Sequence, residues 1–344
     1  MPELPLALAS LYAELHDLSG LDRPGQRRAG GFSSKRIGGR NYWYRQVWIG
    51  GRRRQKAIGP ETPELLRHIA RERREDALWR QEQRRRRTMC RALRAALHFP
   101  VDPIAGRIVA ALAEAGIFGT GAMLVGTHAY RCFGPMLGVR LAADALSTSD
   151  IDLATDGAIS VAFEGAAAVS LADVVTKAVT DFHVVPARPG ARISHALKLK
   201  GAETRVELLT SGSARHAGAV RTIPHLGFGA QILPYLDYLL GTPARATYLY
   251  DAGISVTLPD PARYALHKLI VAVSRPGSEQ GKAAKDLIQA GSLIDVLHRS
   301  RPGDLRKAAA ALEKSGGSHL ARARKGARLM AAPQRALLPG SLRS

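Results

Sequence analysis

Only two cysteines, Cys90 and Cys132, occur in 344 residues. They have no metal-ligand spacing and build no disulfide framework, which excludes a cystine-stapled secreted scaffold and fits a reducing cytoplasm. Long apolar runs are also missing: no charge-free stretch reaches the roughly 18 residues that a membrane helix needs. Met1 to Leu18 is apolar enough to suggest an export signal, but it lacks a basic start and carries Glu3, Glu14 and Asp17, so it reads as a short amphipathic helix. These absences predict a cytoplasmic protein without a membrane partner.

Acid is the third deficit. Against 50 Lys and Arg stand 29 Asp and Glu, a formal charge of +21. Between Arg23 and Arg94 there are 22 basic and 6 acidic residues, so most of the surplus lies in this one segment. A polyanion, most simply nucleic acid, is the expected partner of residues 23–94. Within that segment Arg84 to Arg87 is a four-arginine run. It reads either as a solvated helix face or, for want of acidic compensation, as a site drawn to a polyanion.

The length suits two or three domains. Gly20 to Gly39, rich in Gly, Arg and Ser, reads as a linker or basic loop. Asn41 to Ile49 then predicts a strand, Gly50-Gly51 a two-residue hairpin turn, and Arg52 to Ile58 its partner. The first strand is aromatic and the second basic; the rings either stack on bases or pack the hairpin onto its own helix. Thr62-Pro63 is a helix start, with Thr as N-cap and Pro at the first helical position, and the helix is expected to reach about His98. Pro100 to Pro103 marks a boundary, which places a basic hairpin-plus-helix module at residues 1–98.

A central region, 99–258, follows. The apolar Met123-Leu124-Val125 reads as a buried strand, and Gly126-Thr127 opens a helix whose free N–H groups would face an anion. Asp150 and Asp152 alternate with Ile151 and Leu153, so a strand would point both carboxylates to one face. Two like charges side by side are costly without a cation between them, and oxygen-only ligands favour Mg2+ or Mn2+. Helix is expected over Val169 to Val179, and strands over His183 to Pro186, Arg192 to Leu199 and Thr204 to Leu209. In the last of these Glu207 points away from the apolar side set by Val206 and Leu208. Strands are expected again around Ala246 to Tyr250 and Ile254 to Leu258. Residues 259–344 read as helical, with an apolar stripe after Pro261, further helices over Glu279 to Arg299 and Leu305 to Ser315, and a basic tail from Arg322. The chain is therefore of α+β class.

A glycine turn, a paired-aspartate strand and a later single acid on another strand resemble the nucleotidyltransferase fold of the DNA polymerase beta superfamily. Gly126-Thr127 matches its glycine-serine turn, Asp150-Ile151-Asp152 its paired acids, and Glu207 its third. Pro259 to Leu269, Arg275 and Lys285-Asp286-Leu287 look like the helical half of the abortive-infection type toxin branch, and the Tyr-Trp-Tyr hairpin resembles an uncharacterised bacterial branch near it. The resemblance implies a mixed-sheet nucleotidyltransferase core, a C-terminal helical region and a metal-dependent transfer of a nucleoside monophosphate from an NTP such as ATP to a hydroxyl. It implies Asp150, Asp152 and Glu207 as metal ligands, Lys268 as catalytic, and Gly126, Thr127, Arg275 and Asp286 as nucleotide-binding residues. His128 and His267 are expected to be structural.

Three readings of function stay open. One is an active transferase whose acceptor is RNA, such as tRNA, in a toxin-antitoxin or another setting. A second is a nucleic-acid-binding or regulatory protein with a degenerate transferase domain. In the third the acceptor is a protein or small molecule. The stretch from Gly126 to Asp150 is long, so whether turn and acids face one another is decided in three dimensions.

Overall fold

The computed structural model describes residues 2–24, 31–49, 52–99, 102–142, 145–156, 169–187 and 193–343, with the side chains of 47–49 and 52–53 left aside. The middle of the expected linker (25–30), the glycine pair 50–51 and the boundary residues 100–101 lie outside them.

The chain opens with α1 (Leu6–Gly20), then β1 (Phe32–Ile37), β2 (Arg40–Ile49) and β3 (Arg52–Pro60) form an antiparallel sheet in that order. β1 corrects the sequence reading, which placed a linker here. Gly38 and Gly39 have φ of 56° and 81°, the left-handed conformation that a two-residue hairpin turn requires at both centres, and they fold Phe32–Ile37 back onto Arg40–Arg45. The expected pairing of the next two strands is present, from Tyr42 opposite Pro60 to Ile49 opposite Arg52. Trp43 is buried, donates to Glu61 at 2.8 Å, and lies under the Arg73 guanidinium of the following helix. That ring packs the sheet onto its own helix and is not available for stacking on bases.

The helix is α2 (Pro63–Leu97). Thr62 caps it by accepting from the Leu65 N–H at 3.2 Å, and His98 ends it in the left-handed conformation. One face of its C-terminal half is buried: Arg86, Met89, Cys90, Leu93 and Leu97. The arginine run is therefore compensated, contrary to the sequence reading, by acids from other elements. Arg85 pairs with Glu14, Arg87 with Asp251 at 2.6 Å, and Arg86, 2% exposed, takes Asp22 bidentately at 2.7 and 2.8 Å while donating to the carbonyls of Ala252 and Gly253. Only one member, Arg84, has no ion pair among the described residues. Sequence distance hid the rest, since Asp251 and Arg87 are far apart in the chain.

The central layer is built from α3 (Pro103–Glu114), β4 (Met123–Leu124), α4 (Gly126–Met136), β5 (Ile151–Thr155), α5 (Leu171–Ala178), β6 (Phe182–Val185), β7 (Ala196–Leu199), β8 (Arg205–Ser211), β9 (Val220–Ile223) and β10 (Phe228–Leu233). Its mixed sheet runs β4-β5-β8-β10-β9, with β5 and β8 parallel. β7 takes the start of β8 and β10 its end, so one strand edge serves two partners. Next come α6 (Leu236–Leu240) and an antiparallel pair, β11 (Pro243–Tyr248) and β12 (Ile254–Pro259).

The rest is helical: α7 (Pro261–Ala272), α8 (Gln280–Ser300), α9 (Pro302–Lys314) and α10 (Gly317–Arg328), then the short α11 (Ala332–Arg335). The expected basic tail is the packed helix α10. Its Ala323, Gly326 and Ala327 are buried, and a β-carbon at Gly326 would overlap the Leu269 carbonyl. A single apolar core joins Leu15 and Leu93 to Leu124, Leu153, Leu208, Leu266 and Leu293. Among the described residues no helix is long and apolar enough to cross a membrane.

Candidate active site

The long stretch between Gly126 and Asp150 returns the chain so that turn and acids touch. β4 runs antiparallel to β5, and the Val125 N–H donates to the Asp152 carbonyl at 2.9 Å. Gly126 follows with φ 61°, and a β-carbon there would overlap Asp152 Oδ2. Glycine is thus required twice at this position, by conformation and by space. The loop before Asp150 is held from below: Arg131 donates to the Leu146 carbonyl at 2.7 Å, Gln289 to that of Ala145 at 2.9 Å, and Lys285 to that of Ser147.

Asp152 and Glu207 are register partners on the parallel strands β5 and β8. Ile151, Leu153, Val206 and Leu208 are wholly buried on the other face, which leaves both carboxylates on the same, more open side. Asp150 directly precedes β5, and its N–H donates to Thr148 Oγ1 at 3.3 Å. Burial, then the neighbouring Glu207 and Asp150 charges, push the Asp152 carboxyl up to about 6, with Lys268 and Arg275 acting the other way. Glu207, Asp150, Lys268 and Arg275 thus all lie close enough to Asp152 to act on its charge. Thr127 sits in the first turn of α4, largely buried.

Asp286 lies where α8 faces α7. One of its oxygens receives Lys268 Nζ and the other Arg275 Nε, each at 2.6 Å, and its side chain is 3% exposed. Burial works against its charge, but Lys268 and Arg275 outweigh it and hold the carboxyl below its ordinary range. Lys282, three residues after Glu279, pairs with it at 3.2 Å. Glu279 also takes Arg275 at 2.9 Å.

Tyr264 and Gln289 were missed. The Tyr264 hydroxyl donates to the Gly126 carbonyl at 2.8 Å and lies 3.0 Å from Gln289 Oε1, so the glycine turn is tied to both helices. Helical spacing held the signal, because Tyr264 and Lys268, like Lys285 and Gln289, stand four residues apart. His128 is wholly buried, with Nδ1 3.0 Å from the Tyr248 hydroxyl, and His267 is buried in α7 next to Lys268.

Among the described residues no group of three or more His, Cys, Asp or Glu is placed to hold a metal ion by itself. The donor set fits a cation that takes part of its coordination from a substrate: magnesium is commonly held by one or two carboxylates plus phosphate oxygens and water. Asp152 and Glu207, opposite one another in register, are two such carboxylates, and a cation between them would offset their like charges.

A carboxylate pair on parallel strands, a glycine turn against it, a lysine on α7 and an arginine just after that helix define the class, and comparison agrees. A family model described as Nucleotidyltransferase matches residues 104–313. The chain belongs to that family. Residues 3–68 match a domain family of unknown function. A solved structure, described as an antigenic nucleotidyltransferase-like protein from Paracoccidioides brasiliensis, is 21% identical over 65% of this chain and 94% of its own, with a TM-score of 0.31. No curated protein matches the chain.

Proposed function

We propose that the protein transfers a nucleoside monophosphate from an NTP to a hydroxyl acceptor with the help of a divalent metal. The observation that carries this reading is the contact of the Gly126 turn with Asp152, itself in register with Glu207. Asp152 and Glu207, in register, would hold the metal with Asp150 contributing its charge beside them, and when bound the metal would offset the carboxylates' charge toward a triphosphate. Gly126 and Thr127 present the first N–H groups of α4 to the outer phosphates, where the helix dipole favours an anion. Glu207 accepts the acceptor's proton as its oxygen bonds to the α-phosphorus. The bond from that phosphorus to the bridging oxygen breaks, and pyrophosphate leaves. Lys268 and Arg275, pinned by Asp286, supply fixed positive charge for the leaving group, so Asp286 acts by positioning them.

The test is label transfer from each NTP, with magnesium or manganese, to total RNA, to DNA and to the protein itself. Wild type is expected to label an acceptor and Asp152→Ala to leave it unlabelled. Equal labelling by that variant overturns the assignment. Absence of metal-NTP binding by calorimetry would favour instead a nucleic-acid-binding protein with a degenerate site.

A further inference from the structure

The arginines of α2 divide by face. Arg86 turns into the core, Arg85 toward α1, and Arg84, Arg87, Arg91 and Arg94 follow the spacing of a single helical stripe, the first three exposed and Arg94 half-buried. That stripe is one wall of a groove of about 1090 Å³. Its other wall brings Arg107 from α3 and Lys177 from α5, both exposed and neither within the basic N-terminal segment. Two acids, Asp251 and Glu114, also line it, which leaves the groove strongly positive. Arg94 Nε is buried without a hydrogen-bond partner among the described residues.

One aromatic ring lies among these cations. Tyr250 lines the groove half-buried, and Gly106 on α3 makes room for it: a β-carbon there would overlap the Tyr250 ring. A smaller cavity of about 400 Å³ shares Ala110, Glu114 and Asp251 with the groove and is lined by Trp79 and Phe118. Fixed cations along a channel, with one ring inside and two more in an adjoining recess, match the demands of single-stranded nucleic acid, whose phosphates need charge and whose bases need flat apolar surfaces. A duplex keeps its bases stacked and could use only the charges.

We propose that this groove, between α2, α3 and α5, binds a single-stranded RNA segment and is the docking surface for the acceptor. Its purpose rests on the transfer reading, but its binding does not, since none of the groove residues belongs to the Asp152 site. Lys177 and Arg107 extend the nucleic-acid surface from the N-terminal segment onto the central layer, while the hairpin sheet is left out of it.

The experiment is equilibrium binding of a fluorescent single-stranded RNA oligomer to the full chain over a range of salt. The Arg107→Glu/Lys177→Glu double variant is expected to weaken binding roughly tenfold or more and to flatten the salt slope by about one to two units. Tyr250→Leu is expected to weaken binding several-fold at an unchanged slope, as loss of stacking does. Arg54→Glu/Lys56→Glu on the hairpin is the control and should bind as wild type. Thermal melts verify that each variant is folded, and metal-NTP binding measured in parallel reports on the other site, so either reading can fail alone. Wild-type affinity in the double variant overturns the proposal. So does an equal loss in the hairpin control, or displacement of the RNA by acidic lipid vesicles or duplex DNA at equal phosphate concentration.

Discussion

At Gly126 a single hydrogen separates a working turn from a collision with Asp152. Gly126→Ala is therefore expected to cost about 1 kcal/mol or more in backbone strain and to abolish metal-NTP binding, measured by denaturation and calorimetry. Asp152→Asn should separate stability from activity. Its carboxyl is raised to about 6, so the ionised form burdens the folded state, increasingly as pH rises from the unfolded value of 3.8. Removing that charge should raise the melting temperature at pH 8 while label transfer falls to background. The buried histidines work in the other sense. Burial, with Arg131 near His128 and Lys268 near His267, drives both down to about 3. A depressed imidazole contributes stability that is full above pH 6.5 and is lost as pH falls toward 3. Urea midpoints should thus fall steadily below pH 6.5, and His267→Asn should lessen that fall if the variant packs. The paired acids and the turn glycine were legible here from their pattern, and the lysine only through the family resemblance. Their protonation was not, because it depends on burial and on neighbours from other strands.

Elements are joined in this protein by charges that each serve two partners. Asp286 on α8 holds both Lys268 of α7 and Arg275 just beyond it. Asp286→Asn should destabilise the fold by about 3 kcal/mol, because it leaves the largely buried Lys268 without its anion and Arg275 with Glu279 alone, and it should slow transfer without removing the metal ligands. Arg86 on α2 clamps α1's following residue Asp22 and the turn before β12 together. Arg86→Met is expected to cost about 1–3 kcal/mol by leaving the Ala252 and Gly253 carbonyls without their donor, the half-exposed Asp22 being taken up by water, read as a shifted denaturation midpoint. Helix starts such as Thr62-Pro63 and the alternation of Arg205–Leu208 were legible because they depend on neighbours in sequence. β1 was hidden by its loop-like composition, although the same Gly-Gly signal was used one hairpin later. The acids that neutralise the arginine run were hidden because they come from α1, from the segment after it, and from the turn between β11 and β12.

For the whole molecule, one core binds the N-terminal elements to the rest. Leu15 of α1 and Cys90 and Leu93 of α2 are wholly buried in it, and the N–H of Thr247 in β11 donates to the Tyr12 hydroxyl at 3.1 Å. A chain of residues 99–344 is therefore expected to be insoluble or molten, visible as lost near-ultraviolet dichroism, whereas removal of the hairpin sheet alone, 32–60, should leave a cooperative melt. The sequence by itself determined the α+β class, the order of turn, paired acids and third acid, the long capped helix and the excess of positive charge. Periodicity, capping chemistry and composition act over a few residues and survive in one dimension. Tertiary structure alone decided that the long stretch after Gly126 returns Asp152 to it, that Asp286 faces two cations, and that three of four consecutive arginines are already matched. Those outcomes depend on which distant groups share a volume of low dielectric, and the pairing of charges across such distances leaves no periodic mark on the chain.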